Sequence, residues 1–81
     1  MSAKESFVGK KYITLNPEEE YITLQSLLKM NDIVSTGGMV KVFLMDNVVL
    51  VNGEAENRRG RKLYPGDEIC VLNKVFEIKK P

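Results

Sequence analysis

Two glycine-containing dipeptides divide the second half of the sequence into short, extended segments. Asn52-Gly53 ends the β-branched run VVLV, and Pro65-Gly66 precedes the apolar segment EICVL. Asn and Gly tolerate the positive φ that a tight hairpin turn requires, and Pro presets the φ angle of a turn's first central residue. A further turn at Asn73-Lys74 would join EICVL to VFEIK as a second hairpin. Because hairpins join antiparallel strands, the sequence from residue 48 predicts a small antiparallel sheet.

The first half of the chain has the pattern of a strand followed by two short helices. KYITL, at residues 11–15, has the alternation and β-branching of a short strand. Thr23 is placed to cap a helix over about residues 23–30, in which three leucines recur at the i, i+3, i+4 spacing. We expect that helix to bury its leucines and to point Lys29 outward.

A second helix is predicted over GGMVKVFLM, capped by Ser35 or Thr36. A hydroxyl there can accept a hydrogen bond from a backbone N–H group that the first helical turn leaves free. The buried stripe of this helix consists of Val40, Phe43 and Leu44. Lys41 falls outside the stripe and should reach solvent. Few residues separate the two helices, so we expect a helix-turn-helix pair.

Composition narrows the possible functions. The 81 residues suit one domain, and we expect a flexible tail over residues 1–11 and a single domain over residues 12–81. No apolar run approaches the length of a membrane span, and MSAKESFVGKK lacks the apolar core of a secretory signal, which predicts a soluble, cytoplasmic protein. The chain has no histidine and one cysteine, so we expect no catalytic site, no metal and no cofactor.

All three arginines lie in one segment, NRRGRKL, although the formal net charge of the chain is only +1. The clustered cations are Arg58, Arg59, Arg61 and Lys62. Clustered cations favour phosphate binding because each neutralised phosphate releases counterions, and Gly60 would let the backbone approach a partner closely. Taken alone, such a segment is more often a solvated surface loop, here partly neutralised by Glu54 and Glu56.

The order of these motifs resembles the RNA-binding domain named after ribosomal protein S4. That pattern runs from a leucine-bearing helix through a Ser-Arg turn and a second helix to a Val-Asn-Gly strand end and a later Pro-Gly-Asp. The matching residues are Leu24, Leu27 and Leu28, then Val49, Val51, Asn52 and Gly53, and finally Pro65, Gly66, Asp67 and Ile69. The resemblance covers about residues 21–72, and STGGMVKVFL with NRRGRKLYPGD is similar to the small stand-alone YaaA type of this family.

The resemblance implies an α+β fold, the alpha-L motif, with the two helices packed on a small antiparallel sheet. It also implies a non-catalytic protein that binds structured RNA, above all ribosomal RNA or a ribosomal subunit, in ribosome assembly or translation. No membrane and no small-molecule substrate are expected. Together with the phosphate chemistry of clustered cations, the resemblance leads us to predict as RNA-binding residues the four cations of the loop and Thr36, Gly37, Gly38 and Lys41. The two glycines would present free N–H groups to a phosphate at the helix start.

Two positions depart from the family pattern. Gly37 stands where an arginine usually follows the Ser or Thr, and Asn47 replaces the usual glycine before the strand. Asn is the best substitute for glycine if that position needs a left-handed backbone.

Two other functions also fit parts of the sequence. A β-grasp sulfur carrier would suit VVLVNGE and PGDEICVL, but such carriers act through a C-terminal Gly-Gly and this sequence ends in EIKKP. A protein- or DNA-interaction module linked to replication or recombination would use the same basic loop on a different partner.

Tyr64 and Cys70 each allow a structural and a functional interpretation. Tyr64 lies beside the cations and could stack on a base, although a tyrosine that enters a strand more often packs over the edge of the core. Cys70 lies between Ile69 and Val71 and is predicted to be a small buried apolar side chain.

Overall fold

A computed structural model describes residues 9–81, which contain two helices and seven strands. In chain order these are β1 (Lys10–Thr14), β2 (Ile22–Thr23), α1 (Leu24–Met30), α2 (Gly37–Asp46), β3 (Leu50–Val51), β4 (Glu54–Ala55), β5 (Lys62–Leu63), β6 (Glu68–Val71) and β7 (Lys74–Lys79). Five strands form one sheet in the order β1-β7-β6-β3-β4, and β2 pairs with β5 in a separate two-stranded sheet. The predicted α+β class is confirmed.

The larger sheet is mixed rather than wholly antiparallel. The pairs β3–β4, β3–β6 and β6–β7 are antiparallel, as the turn motifs predict, but β1 pairs with β7 in parallel. No hairpin joins these two strands, since they come from opposite ends of the chain, and local turn chemistry therefore does not fix their relative direction. Lys10 links β1 to the two strands beyond it, with its ammonium 2.9 Å from the carboxylates of both Glu68 and Glu77.

The start of β1 corrects the predicted boundary of the flexible tail. Lys10 and Lys11 pair with Val75 and Phe76, so they belong to the sheet and not to a tail. Residues 1–8, the rest of the predicted tail, lie outside the described residues. The strand predicted over residues 11–15 is confirmed at Lys10–Thr14, and Leu15 continues the ladder by donating its N–H to the Lys79 carbonyl.

Both predicted helix caps are present. The Thr23 hydroxyl accepts a hydrogen bond from the Ser26 N–H at the start of α1, and the Thr36 hydroxyl accepts one from the Met39 N–H at the start of α2. Thr36 rather than Ser35 is therefore the second cap. At the end of α2, Asn47 has a φ of −134°, so this position needs no left-handed residue. The Asn47 amide caps the helix instead, donating to the Phe43 carbonyl.

The two helices contact each other and close over the larger sheet as predicted. Val40 and Leu44 of α2 are buried, Phe43 is half-buried against them, and Lys41 is exposed. One continuous core joins these side chains to apolar residues of the sheet. From the sheet it includes Val51, Ile69, Val71, Phe76 and Ile78. No helix within residues 9–81 is both long enough and apolar enough to cross a membrane.

Two of the three predicted turns have positive φ at the predicted residues, and the third lies one residue earlier than predicted. Asn52 and Gly53 have φ of 52° and 85°, and Gly66 has φ of 96°. The turn between β6 and β7 lies at Leu72-Asn73, with φ of 52° and 63°, and not at Asn73-Lys74. Because burial of Ile69 and Phe76 fixes their pairing, Val71 must face Lys74, and only the two residues between them can form the turn.

Two further expectations need correction. The segment NRRGRKL, residues 57–63, is not a loop throughout, because its last two residues form β5. Cys70 is half-buried rather than buried, because alternation in β6 puts Ile69 and Val71 in the core and Cys70 on the other face.

Candidate nucleic-acid interface

The basic loop, residues 57–62, is fixed by its backbone to the start of α1. The Arg61 carbonyl accepts the N–H of Leu24, and the Arg59 carbonyl accepts the N–H of Gln25, both at 2.9 Å. The first N–H groups of a helix have no partner within the helix, so the loop satisfies donors that would otherwise need water. The pairing of Lys62 with Thr23 fixes the other end of the loop. The arginines are therefore presented by an anchored segment.

Glu56 connects two of the arginines. Its carboxylate accepts hydrogen bonds from the N–H, Nε and Nη2 of Arg58 at 2.9, 2.9 and 3.0 Å, and from Nη1 of Arg61 at 2.7 Å. Glu56 is only 8% exposed, and a buried carboxylate is tolerated when it is paired and hydrogen-bonded in this way. The hydrogen bonds from Arg58 are the main cause that lowers the pKa of Glu56 to about 2. The same carboxylate raises the pKa of Arg58.

Sequence reasoning treated Glu56 as partial neutralisation of the loop and missed this role. The sequence signal for this role is the spacing, because Glu56 stands two residues before one arginine and five residues before another. Through these hydrogen bonds, Glu56 links two guanidinium groups to one carboxylate. Arg58 nevertheless keeps 71% of its side chain exposed, and Arg61 keeps 31%, so both retain N–H donors that could face a partner.

Arg59 and Lys62 differ from the other two cations of the loop. Within residues 9–81, neither side chain forms an ion pair with a carboxylate. Both residues are exposed. They are the loop cations whose charge is not already compensated inside the described part of the protein.

Lys41 lies on the same side of the molecule as Arg59. The two residues line one surface hollow together with Leu44, Met45 and Asn57. The folded chain thus brings a cation of α2 next to the basic loop.

The start of α2 approaches the loop through Gln25. A Cβ added at Gly37 would lie 3.7 Å from the Gln25 side-chain amide, and the backbone N–H of Gln25 is bound to Arg59. Gly38 faces open space, with no atom within 4 Å of an added Cβ. Thr36 caps the Met39 N–H, while the N–H groups of Gly37 and Gly38 have no hydrogen-bond acceptor within residues 9–81. The structure therefore connects Gly37 to the basic loop through Gln25, and it shows no contact of Thr36 or Gly38 with that loop within residues 9–81.

The two turn motifs are joined to each other and serve the fold. The Asn52 amide donates to the Asp67 carboxylate and accepts the Glu68 N–H, each at 3.0 Å. Asp67 also accepts the Tyr64 N–H at 2.8 Å. This network joins Tyr64, the residue after β5, to the turn that follows β3 and to the start of β6.

No three His, Cys, Asp or Glu side chains in the described part of the chain are arranged to hold a metal ion. The candidate site consists of cations and backbone amides, which suit a polyanionic partner.

Comparison with known proteins identifies similar chains. A family model described as the S4 domain matches residues 10–79, nearly the whole described segment. A Bacillus subtilis (strain 168) protein described as a probable ribosome maturation protein, RlbA, is 54% identical over 52 residues. The aligned region covers 64% of this chain and 73% of that protein.

Proposed function

Since the chain belongs to the S4 domain family, we propose that it is a non-catalytic protein that binds structured ribosomal RNA through its phosphates. The observation that carries this proposal is the shared position of Lys41 and Arg59 on one hollow, with the anchored basic loop beside it. A protein with a net charge of only +1 gains such a face by collecting its cations in one place.

The cations have separate tasks in this proposal. Arg59, Lys62 and Lys41 meet phosphates directly, because no carboxylate in residues 9–81 neutralises them. Arg58 and Arg61 share Glu56, so together the three residues supply one net positive charge in a fixed direction. A planar guanidinium held in this way can still bond two phosphate oxygens with its remaining donors.

The amides of Gly37 and Gly38 hold a further phosphate at the start of α2, next to the cap residue Thr36. Free N–H groups and the helix dipole both favour an anion at this position. Because double-stranded RNA hides its base edges in a deep groove, such a surface recognises shape more than sequence.

The cellular role we propose is ribosome assembly or maturation in the cytoplasm. The similarity to a protein described as a probable ribosome maturation protein supports this role. This role can be tested by crosslinking RNA to the tagged protein in cells and then recovering and sequencing that RNA. We expect ribosomal RNA to be enriched over a matched Arg59→Ala sample. Recovery of DNA, or of no nucleic acid that depends on Arg59, would contradict the proposal.

A competition experiment in vitro tests whether the protein prefers RNA to another polyanion. An RNA hairpin should displace labelled RNA at lower concentration than a DNA duplex of equal length, because A-form geometry and the 2′-hydroxyl differ between them. Equal competition by the two would mean that the surface is a basic patch without preference for RNA.

A further inference from the structure

The two-stranded sheet of β2 and β5 has one buried and one outer face. Ile22 pairs with Leu63 and Thr23 pairs with Lys62 in antiparallel register. Ile22 and Leu63 are buried. Side chains alternate along a strand, so Thr23 and Lys62 belong to the opposite face. One step further in the same register, Tyr21 stands opposite Tyr64 on that outer face.

The side chains on the outer face form an aromatic and cationic surface, which we call the tyrosine face: Tyr21, Lys62 and Tyr64. The ring centroids of Tyr21 and Tyr64 lie 5.5 Å apart with an angle of 49° between the planes. The Lys62 ammonium lies 5.2 Å from the centre of the Tyr21 ring, within the range of a cation–π contact. Tyr21 thus lies beside both Tyr64 and Lys62.

The tyrosine face continues into the basic loop. Tyr64 and Lys62 border the same hollow as Arg58, Gly60 and Arg61. The hollow is open beside Gly60, because no atom lies within 4 Å of the position that a Cβ would take there. One half-exposed ring therefore stands at the edge of a concave surface lined by three cations.

The fold does not depend on the Tyr64 ring to hold its turn. The backbone of Tyr64 is fixed at both ends, because its N–H donates to the Asp67 carboxylate and its carbonyl accepts the Asp67 N–H. Tyr64 remains 45% exposed. A partly exposed aromatic residue on a fixed backbone, with cations beside it, has the features of a base-stacking platform.

We propose that the tyrosine face binds an unpaired nucleobase of the RNA, stacked on the Tyr64 ring, while Lys62 and the Glu56-bound arginines hold the adjoining phosphate. This inference rests on the proposed RNA-binding function. It adds the structural element of the RNA that the tyrosine face would bind. The partner would be a helix interrupted by a bulge or flanked by a single-stranded nucleotide, because a paired base cannot leave its stack to reach the ring.

The test uses two RNA hairpins that differ by one bulged nucleotide, a fluorescent 2-aminopurine. Wild-type protein and Tyr64→Phe should quench the bulged base and bind the bulged hairpin about fivefold or more tightly than the paired one, the low end expected for one stacked base. Tyr64→Leu should lose both the quenching and the preference, with unchanged affinity for the paired hairpin. Thermal unfolding followed by circular dichroism shows that each variant is folded.

Two results would overturn the inference. If the wild type neither quenches the bulged base nor prefers the bulged hairpin, yet binds both hairpins in a manner that depends on Arg59, the tyrosine face is not a base site and the proposed function stands. If the wild type binds neither hairpin, both the inference and the proposed function fail.

Discussion

At the scale of single residues, Glu56 determines the geometry of the candidate site. A paired carboxylate with almost no exposure is costly to disturb, since removing one partner of a buried charged network leaves polar groups unsatisfied. Glu54, two residues earlier in β4, is exposed and has no ion pair within residues 9–81. The chain therefore contains its own matched control for a carboxylate substitution.

Glu56→Gln should lower the free energy of unfolding by about 1–3 kcal/mol, because the amide replaces one acceptor oxygen with a donor facing two guanidinium groups. Urea unfolding of Glu56→Gln, Glu54→Gln and the wild type measures this change. Glu54→Gln should stay within about 0.5 kcal/mol of the wild type. Equal losses in the two variants would mean that the Glu56 network adds nothing to stability.

The same residue predicts a pH dependence. The pKa of Glu56 is lowered from 4.5 to about 2, so its stabilising effect is complete above the unfolded-state pKa and is lost as the pH falls through the folded-state pKa. The difference in melting temperature between the wild type and Glu56→Gln should therefore narrow as the pH decreases from about 5 toward 2. A difference that stays constant across this range would contradict the lowered pKa.

At the scale of the elements, the start of α2 combines a conventional cap with two exposed glycines. Gly38 has room for any side chain and no unusual φ, so the fold itself does not require glycine there. A glutamate in the first turn of a helix is favourable to the helix dipole, whereas the same charge opposes a phosphate bound at that position. Substitution at Gly38 can therefore separate stability from binding.

Gly38→Glu should keep or slightly raise the melting temperature and should weaken RNA binding. Gly38→Gln, which has nearly the same shape without the charge, should weaken binding less. Fluorescence anisotropy with a labelled RNA hairpin and a thermal melt of each variant measure the two effects. Unchanged RNA binding by Gly38→Glu would place the helix start outside the interface.

The elements also show which parts of the fold the sequence predicts. Caps at Thr23 and Thr36 and the turn at Asn52-Gly53 depend on neighbouring residues, and all three were predictable. The parallel pairing of β1 with β7 joins residues 65 positions apart, and no local signal encodes it. The short pairing of β2 with β5 escaped prediction for the same reason, and with it the tyrosine face.

At the scale of the whole molecule, tertiary structure places Lys41 of α2 and Arg59 of the basic loop on one surface hollow. The sequence alone shows that the loop cations are grouped. It does not show which of them bind Glu56 and which are unpaired, because that depends on which side chains meet in the fold. Lys74 offers a matched control for the interface. It is exposed and lines a different hollow, with Gly9, Lys11 and Asn31.

The salt dependence of RNA binding tests the central claim most directly. Arg59, Lys62, Lys41 and the net charge of the Glu56 cluster together give about four phosphate contacts, so log affinity should fall against log salt with a slope of about −3 to −4. Titrations of the wild type, Arg59→Ala and Lys74→Ala with one RNA hairpin at several salt concentrations measure that slope. Arg59→Ala should bind more weakly with a slope shallower by somewhat under about one, and Lys74→Ala should match the wild type. Identical affinities and slopes for all three proteins would show that the basic loop is a solvated surface segment and not a phosphate-binding site.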